Sequence, residues 1–233
     1  MAAQQERATR TRQALLRSAA EVFDRCGYTQ AKLADISAGA GVSPGALHFH
    51  FENKLAVADA VESAASRTLQ RAAHIAYHER VHALQALTDI SHAFAGLLRR
   101  DVVTRAGFQL DNDNCRHGHK RFSREWHTCI ERLLAQADRE KVLARQVEPV
   151  AMSCTIMAAT TGIGILIKDS DDSRIGLALT GFWQAFLPGL AVPEVLGGLR
   201  PAGNRAVVDK AVAVSAQGLQ EAQSASWGWP GSF

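Results

Sequence analysis

The sequence predicts an all-α fold, and three observations support this prediction. Apolar residues recur at helical spacing through most of the chain, no stretch alternates apolar and polar residues between hairpin turns, and residues 54–77 contain neither glycine nor proline. The chain has 233 residues, of which 47% are hydrophobic and 21% charged, an ordinary composition for a soluble globular protein. That length is enough for one large hydrophobic core or two smaller ones.

Two helices are predicted near the start of the chain. Five apolar residues of the segment 12–26 recur at the helical spacing i, i+4, i+7, i+8 and i+11, namely Leu15, Ala19, Val22, Phe23 and Cys26. Gly27 follows, where a left-handed C-cap would end this helix. A second, short helix is expected over residues 33–40, and Gly41 interrupts it.

The longer helices are predicted after Asn53, which is placed to be the N-cap of a helix over residues 54–77. Further helices are expected over residues 82–99, 102–110, 120–141, 150–167 and 173–187. The last of these should end at the Pro-Gly pair 188–189. From Pro201 onward the pattern weakens to a loose helix over 205–220 and a mobile tail, SASWGWPGSF.

Residues 41–45, GVSPG, match the G-x-S-x-G pattern of a hydrolase nucleophile elbow. An elbow needs a buried strand before the serine and a backbone N–H after it for the oxyanion hole. The preceding LADISAGA has helical spacing, and Pro44, directly after Ser43, has no N–H. The pattern therefore does not indicate a hydrolase, and no catalytic residue is predicted.

The same residues fit a helix-turn-helix. A turn follows the helix over 33–40, Ser43 serves as N-cap, Pro44 takes the first helical position, and a second helix runs over 45–51. The residues expected to point inward and join the two helices are Ile36, Val42 and Leu47.

The second helix of this unit is predicted to read DNA. Gly45 and Ala46 at its leading end are small enough to let the backbone approach base edges, and Ala46 can touch a thymine methyl. His48 and His50 add donors for bases or phosphates. The basic residues that flank the unit are Arg7, Arg10, Arg12, Lys32 and Lys54. Lys54, near a helix N-terminus, is expected to contact a phosphate.

These residues also resemble a known family. The first helix, the pair Gly27-Tyr28, the segment LADISAGAGVSPGALHFHFENK and the long helix after it are similar to the DNA-binding domain of tetracycline-repressor-type (TetR) transcriptional regulators. More narrowly, RATRTRQALL, GALHFHFENK, VVTRAGFQLD and REWH resemble the γ-butyrolactone receptor repressors of Streptomyces. The likeness extends from about residue 6 to Leu196.

The chain departs from that family at two places. His48 stands where the family usually has tyrosine, and Gln30-Ala31-Lys32-Leu33 displaces the usual threonine at the start of the second helix. The true butyrolactone receptors are often acidic, whereas the related pseudo-receptors are basic and tend to respond to antibiotics or other signals. The sequence pI near 8.8 therefore favours the pseudo-receptors.

The resemblance implies a homodimeric repressor that binds a palindromic operator in double-stranded DNA and is released by a small molecule. It implies a helix-turn-helix domain over residues 1–53, a helical ligand-binding and dimerisation domain over 54–200, and a C-terminal extension over 201–233. The DNA-binding residues are then Arg10, Lys32, Ser43, Pro44, Gly45, Ala46, His48, Phe49, His50 and Lys54. The effector would be γ-butyrolactone-like or an antibiotic, and secondary metabolism would be the process controlled.

Trp126 is the main candidate for contacting the effector. By spacing alone it belongs to the broad apolar face of the helix over 120–141, which indicates core packing. The resemblance implies that this tryptophan lines the effector pocket, where an indole can lie against a ligand and donate a hydrogen bond. The other wall residues implied are Phe108, Ile130, Thr160 and Thr161.

The helices over 150–167 and 173–187 are the predicted dimer interface. Both are apolar nearly all round, and Gly162 and Gly164 allow close approach of another helix. The uncharged run 149–167 is long enough to span a bilayer, but its hydroxyl residues and glycines favour a buried interface helix over a membrane span.

No metal or cofactor is predicted. His74, His78 and His82 have the spacing i, i+4, i+8 but lack the carboxylate of an H-E-x-x-H motif, and the segment 115–119, CRHGH, lacks a second half-site. The four cysteines are scattered and no apolar signal segment precedes them, so a reducing cytoplasm is expected. Two alternatives stay open: a multidrug or fatty-acid sensor of the same family controlling an efflux or lipid operon, and an all-α enzyme or binding protein without DNA binding.

Overall fold

The structure of the chain, a computed structural model, describes residues 2–113, 120–166 and 172–217. In these ranges the regular secondary structure is helical, and an isolated antiparallel bridge joins Leu143 to Ala191. The helices are α1 (Ala2–Gln30), α2 (Leu33–Gly39), α3 (Pro44–His50), α4 (Lys54–His78), α5 (Ala83–Arg100), α6 (Val102–Asn112), α7 (Arg121–Arg139), α8 (Pro149–Leu166), α9 (Asp172–Leu190), α10 (Pro193–Leu196) and α11 (Arg205–Gln217). The predicted all-α fold is confirmed.

Most helix boundaries lie close to the predicted ones, and two differ. α1 begins ten residues earlier than expected, although its helical conformation does break at Gly27, which has φ 72°. α9 does not end at Pro188, as predicted, but continues to Leu190. Proline removes only its own N–H bond, and its fixed φ is helical, so the turn is completed by the bond from Ala191 N to Leu187 O at 2.9 Å.

The chain packs as two compact units. The first comprises Met1–Thr68 and Arg100–Ser123, and the second comprises Leu69–Arg99 and Arg124–Phe233. Chain connections between them occur within α4, at the end of α5 and within α7. The predicted division into 1–53, 54–200 and 201–233 follows function rather than packing, and it stays a prediction.

α1 is the central helix of the first unit. Its buried face consists of Leu15, Leu16, Ala19, Ala20, Val22 and Phe23. On its other side Asp24 binds Arg105 of α6 through two parallel bonds, from Nε to Oδ1 at 2.9 Å and from Nη2 to Oδ2 at 2.8 Å. Gln109, one turn further along α6, donates to the same carboxylate at 3.0 Å. This fork fixes both the distance and the orientation of α1 relative to α6.

α6 also packs closely on α4, and a carboxylate from each of these two helices caps the start of α7. A Cβ on Gly107 would lie 2.3 Å from the Cβ of Ala65, so the two helices can approach this closely only with glycine at that position. The N-terminal amides of α7 are held by two buried carboxylates: Glu62 accepts from Arg121 N at 2.9 Å, and Asp111 accepts from Phe122 N at 2.9 Å.

The second unit is built around α5. Almost every residue from Ala83 to Leu98 is buried, and its packing partners include the C-terminal helix. α11 is not the loose helix that the weak pattern predicted, because Ala211 and Val212 pack into a core cluster with Ala72, Ala93 and Leu97. The remainder of the C-terminal tail lies outside the described residues.

α1 and α2 are joined by a close contact, and substitutions at this contact test how α2 is positioned in the first unit. Ser18, buried in α1, donates its hydroxyl to Ile36 O at 2.8 Å, and a Cβ on Gly39 of α2 would lie 2.4 Å from that hydroxyl oxygen. We expect Gly39→Ala to lower the free energy of unfolding by about 1–3 kcal/mol, because the added methyl overpacks the contact. Urea unfolding followed by circular dichroism measures this change.

The matched control is Gly45→Ala, where the added Cβ meets only Ser43 Oγ at 3.9 Å, an ordinary contact. The double variant Ser18→Ala with Gly39→Ala should lose less stability than the sum of the two single variants, because removing the hydroxyl makes room for the methyl. Additive losses, or an equal loss for Gly45→Ala, would show that this contact does not position α2.

Candidate functional site

The segment 33–51 forms a helix-turn-helix. α2 is closed by bonds from Ala40 N to Ile36 O at 3.1 Å and from Val42 N to Ser37 O at 3.0 Å, and Gly41 takes a positive φ of 67°. Ser43 then caps α3, because its hydroxyl oxygen accepts from Ala46 N at 3.2 Å. A helix rather than a strand precedes Ser43, which rules out a nucleophile elbow at this serine.

The two helices are joined through apolar side chains on their inner faces. Ile36 is fully buried and Leu47 is 1% exposed, whereas Val42, the third residue predicted to point inward, is only partly buried. Asn53 caps the following helix, as predicted, by accepting from Ala56 N at 2.9 Å. The inner face of α3 is therefore used for packing, and its outer face is left for another purpose.

The outer face of α3 contains the residues predicted to contact DNA. Ser43, Pro44, Gly45, His48 and Phe49 are exposed, and Ala46 and His50 are partly buried. The Phe49 side chain is 82% exposed, which costs free energy in water and is unusual for a large apolar side chain. Gly45 is not required by the fold, since an added Cβ has ample space there and its φ is ordinary.

The basic residues around α3 have distinct environments. Lys32 is exposed just before α2, and Arg10 is exposed and paired with Glu6 one turn earlier in α1. The guanidinium carbon of Arg12 lies 5.2 Å from the centre of the Phe51 ring. Burial and the nearby Arg12 charge lower the pKa of His50, so its imidazole is neutral at pH 7.

Lys54 has a structural role that the sequence did not predict. Its ammonium group donates to three main-chain carbonyls at the end of α1, those of Tyr28 (2.9 Å), Thr29 (3.1 Å) and Ala31 (3.0 Å). It also lies 4.7 Å from the centre of the Tyr28 ring. An ammonium group has three donors, so a phosphate contact by Lys54 would have to replace one of these bonds.

The second unit contains a small, partly open pocket of about 10 Å³, which is room for about one water molecule. Its wall consists of Ser91, Phe94, Ala95 and Leu98 from α5, Thr160, Ile163 and Gly164 from α8, and Leu179 from α9. Apart from the two hydroxyl groups, the wall is apolar. The residues from α5 were missed by the sequence analysis, because a helix that is buried almost all round has no pattern that marks one face as a pocket. Leu179 was missed because α9 was assigned to the dimer interface.

Trp126 lies beside this pocket. It is 1% exposed, its Nε1 donates to Thr160 Oγ1 at 2.8 Å, and its ring centre is 5.3 Å from that of Phe94. Two of its neighbours are therefore wall residues, although Trp126 itself is packed as core. Ile130 is fully buried and Thr161 is partly buried.

Phe108 is not in the same unit as the other four predicted effector contacts. It belongs to the first unit, where its ring packs edge-on against Phe122 with centres 6.0 Å apart. The pocket wall does not include Phe108, Ile130 or Thr161. Of the five predicted effector contacts, Thr160 lines the pocket and Trp126 adjoins it.

α8 and α9 expose apolar and small residues along one stripe each. On α8 the stripe includes Val150, Ala151, Cys154, Ala158 and Ile165, and on α9 it includes Leu177, Ala178, Gly181 and Ala185. Val150, Ile165 and Leu177 are 64%, 56% and 70% exposed. By length and composition α8 could cross a membrane, and only 17% of its residues are buried.

Two further constellations do not form catalytic or metal sites. The Nε2 atom of His127 lies 3.2 Å from Ser153 Oγ and 3.9 Å from Glu131, so one nitrogen faces both groups and no serine–histidine–acid relay is formed. His74 and His78 have ring centres 4.2 Å apart, but the described residues contain no group of three metal-ligand side chains. The CRHGH segment lies outside the described residues.

This chain is similar to known regulatory proteins in sequence and in structure. A family model for bacterial regulatory proteins of the TetR family matches residues 15–61. The A-factor receptor protein of Streptomyces griseus is 30% identical over 225 residues, which cover 96% of this chain and 78% of that protein. A crystal structure of a γ-butyrolactone receptor (ArpA-like protein) has a TM-score of 0.69 and 27% identity, covering 92% of this chain and 99% of that one. CprB from Streptomyces coelicolor, in complex with its biological operator sequence, has a TM-score of 0.68 and 26% identity, covering 91% and 97%.

The helix-turn-helix and the separate helical unit with its pocket define a ligand-responsive, DNA-binding repressor of transcription. The chain belongs to the TetR family of transcriptional regulators, and it is similar to the γ-butyrolactone receptors over most of its length. These relatives are regulators of transcription rather than enzymes.

Substitution of Lys54 should change the stability of the protein, whereas substitution of Lys32 should change its binding to DNA. We expect Lys54→Ala to lower the free energy of unfolding by about 1–3 kcal/mol, because three carbonyls lose a charged donor. Lys32→Ala should leave stability unchanged and reduce the salt dependence of binding to a random-sequence duplex by about one counterion. Urea unfolding and fluorescence anisotropy at several salt concentrations measure the two effects. Full stability of Lys54→Ala together with a reduced salt slope would contradict the structural role of Lys54.

Proposed function

We propose that this protein is a homodimeric repressor that places α3 of each subunit in the major groove of a palindromic operator. The observation that supports this most directly is the outer face of α3. It contains a glycine that packing does not require and a phenylalanine that is 82% exposed. A small leading end lets the helix backbone approach base edges, and an exposed apolar ring can contact thymine methyl groups.

The charged side chains around α3 are consistent with binding to DNA. Arg10 and Lys32 are exposed and can bind phosphates, whereas the neutral His50 can donate a hydrogen bond without adding charge. His48 is exposed on the same helix and takes the place of the tyrosine usual in the family. Phosphate contacts position the protein, and we assign the choice of sequence to Ala46, His48 and Phe49.

The second copy of the chain is proposed to cover the apolar stripes of α8 and α9. An exposed stripe containing Leu177 and Ile165 would be unfavourable in a monomer, and Gly162 and Gly181 leave open space where a partner helix can approach. A two-fold dimer places the two recognition helices roughly 34–36 Å apart, which is one turn of DNA. Dimer burial of these stripes fits a cytoplasmic protein better than a membrane span.

The effector is proposed to bind in the pocket of the second unit. A volume of about 10 Å³ is far below the ~300–1,000 Å³ typical of sites for drug-sized ligands, so binding requires the pocket to expand. The hydroxyls of Ser91 and Thr160 donate to carbonyls of their own helices, at 2.7 Å each. Thr160 Oγ1 already accepts from Trp126, so the Ser91 oxygen is the main acceptor for a ligand, which favours an effector with an apolar body and a hydroxyl donor.

Chain connectivity suggests how the pocket can influence DNA binding. α5 lines the pocket and ends at Arg100, and α6 begins two residues later and binds α1 through Arg105 and Asp24. α4 belongs to both units as well. Changing the DNA-competent fraction from roughly 99:1 to 1:99 requires about 5.5 kcal/mol of differential ligand binding. Burial of a mostly apolar ligand is able to provide this amount.

The class of effector follows from the relatives and is part of the proposal. Similarity to the A-factor receptor and to γ-butyrolactone receptors favours a γ-butyrolactone-like molecule. An antibiotic, as in the basic pseudo-receptors, or a drug or fatty acid would fit the same apolar pocket. A ligand screen read out by release of operator DNA distinguishes these effectors.

Gly45→Ala tests the interface without disturbing the fold. The added methyl has space in the protein, so stability should be unchanged or slightly higher. Binding to DNA from upstream of the protein's own gene should weaken about tenfold, because the methyl lies between the helix and the base edges. Binding to random-sequence DNA should not change. A mobility shift assay makes both measurements, and equal loss on both DNAs would contradict the assignment of α3 as the recognition helix.

Trp126→Phe tests the effector pocket. An aromatic ring is retained, but part of the indole volume and the N–H that binds Thr160 are lost, so ligand contacts in this region should change while α3 is unaffected. We expect operator binding to persist and the concentration of a synthetic γ-butyrolactone needed for release to rise several-fold. Val142→Ala, which removes buried methyl groups in the second unit at a residue outside the pocket wall, is the control for general loss of stability. An unchanged release curve would separate Trp126 from the pocket.

A further inference from the structure

α5 presents two opposite faces to different parts of the second unit. The residues that line the pocket are Ser91, Phe94, Ala95 and Leu98. The residues that face the segment 200–214 are Gln85, Asp89, His92, Ala93, Gly96 and Leu97. At about 100° per residue, the centres of these two sets lie roughly 160° apart around the helix. α5 is therefore held between the pocket and the segment 200–214, which we name the C-terminal support.

The loop at the start of the C-terminal support is fixed to α5 by polar side chains. The bonds run from Arg200 N to Gln85 Oε1 (2.8 Å), from Asn204 N to Asp89 Oδ1 (2.6 Å) and from His92 Nε2 to Pro201 O (2.9 Å). Burial lowers the pKa of His92, so the ring is neutral at pH 7 and carries its proton on Nε2 to donate. These bonds hold the loop in one position, because breaking them would leave the buried polar side chains of Gln85 and Asp89 without those partners.

The helical part of the support contacts the backbone of α5 directly. A Cβ on Gly96 would lie 2.8 Å from Cγ2 of Val212, and its three nearest atoms all belong to Val212. Val212 is 5% exposed and packs in the cluster with Ala93 and Leu97. α5 therefore cannot move away from the pocket unless Val212 also moves.

We propose that the C-terminal support positions the wall of the effector pocket, and that the contact of Val212 with Gly96 determines the length of ligand that the pocket accepts. This inference rests on the proposed function in one respect, that the effector binds in this pocket. A smaller residue at 212 gives α5 room to move outward and enlarges the pocket. A larger residue at 96 pushes α5 inward and shrinks it.

The test uses straight-chain γ-lactones of increasing alkyl length, with binding to the full-length protein measured by isothermal titration calorimetry. Val212→Ala should shift the preferred chain to a longer one, with about fourfold tighter binding for each additional methylene that becomes buried. Gly96→Ala should shift the preference to a shorter chain by a similar factor. The double variant should return to the wild-type preference, because the added methyl occupies the space that Val212 leaves.

Val207→Ala is the matched control. Val207 is also 5% exposed and lies on α11, but it is not among the atoms nearest Gly96. It should lose a similar amount of stability and keep the wild-type chain-length preference. The same preference in Val212→Ala, Gly96→Ala and the control would overturn the proposal.

Xenon separates failure of this inference from failure of the proposed function. If no lactone binds the wild type, the effector class is wrong, and xenon still reports on the apolar space beside α5. NMR shifts of the Leu98 and Leu179 methyls under xenon should then be larger in Val212→Ala, and smaller in Gly96→Ala, than in Val207→Ala. Equal xenon shifts in the three variants would show that the C-terminal support does not control the pocket.

Discussion

The ion pair between Asp24 and Arg105 is the interaction on which the geometry of the first unit depends. Two parallel bonds hold α1 against α6 at a fixed angle, which a lysine at position 105 could not do. Both side chains are about three-quarters buried, so loss of either would leave a charge in a poorly solvated place. Because α1 also carries Ser18 and the carbonyls that Lys54 binds, the positions of α2 and of the start of α4 follow from it.

Close helix contacts and open helix faces divide the protein into parts that pack and parts that bind. The glycines whose added Cβ would meet a neighbouring side chain below 3.0 Å are Gly39, Gly96 and Gly107. Gly162 and Gly181 have open space, and at Gly45 the added Cβ would make only an ordinary contact. The first set fixes the internal structure of each unit. The second set lies on surfaces that we assign to DNA and to the second subunit, where close approach is needed only in the complex.

Local signals in the sequence were sufficient to predict the helix-turn-helix. The serine cap, the proline at the first helical position and Gly41 in the turn act within a few residues, so their effects can be inferred from spacing. The burial of Ile36 and Leu47 follows from the same periodicity. The exposed outer face of α3 is then the remaining face of a short helix.

Features that depend on distant parts of the chain were not predictable in this way. Lys54 binds carbonyls 23 to 26 residues away, and its position near a helix start suggested a phosphate instead. Half of the pocket wall comes from α5, a helix that is buried almost all round. α11 has a weak pattern because its apolar residues are small, yet Val212 fits against Gly96. In each case the decisive partner is far away in sequence, and no local spacing indicates it.

The account depends most on α3 lying in the major groove, and DNA cleavage from a tethered iron chelate tests this directly. The chelate is attached to His48→Cys, with Cys26, Cys115 and Cys154 replaced by alanine and the buried Cys129 kept. On DNA from upstream of the protein's own gene, we predict two clusters of cleavage roughly 34–36 Å apart, one from each subunit. The reference is a chelate at Val81→Cys, an exposed position in the second unit. Cleavage from position 48 that is no stronger than from position 81, or that shows no paired clusters, would contradict the account.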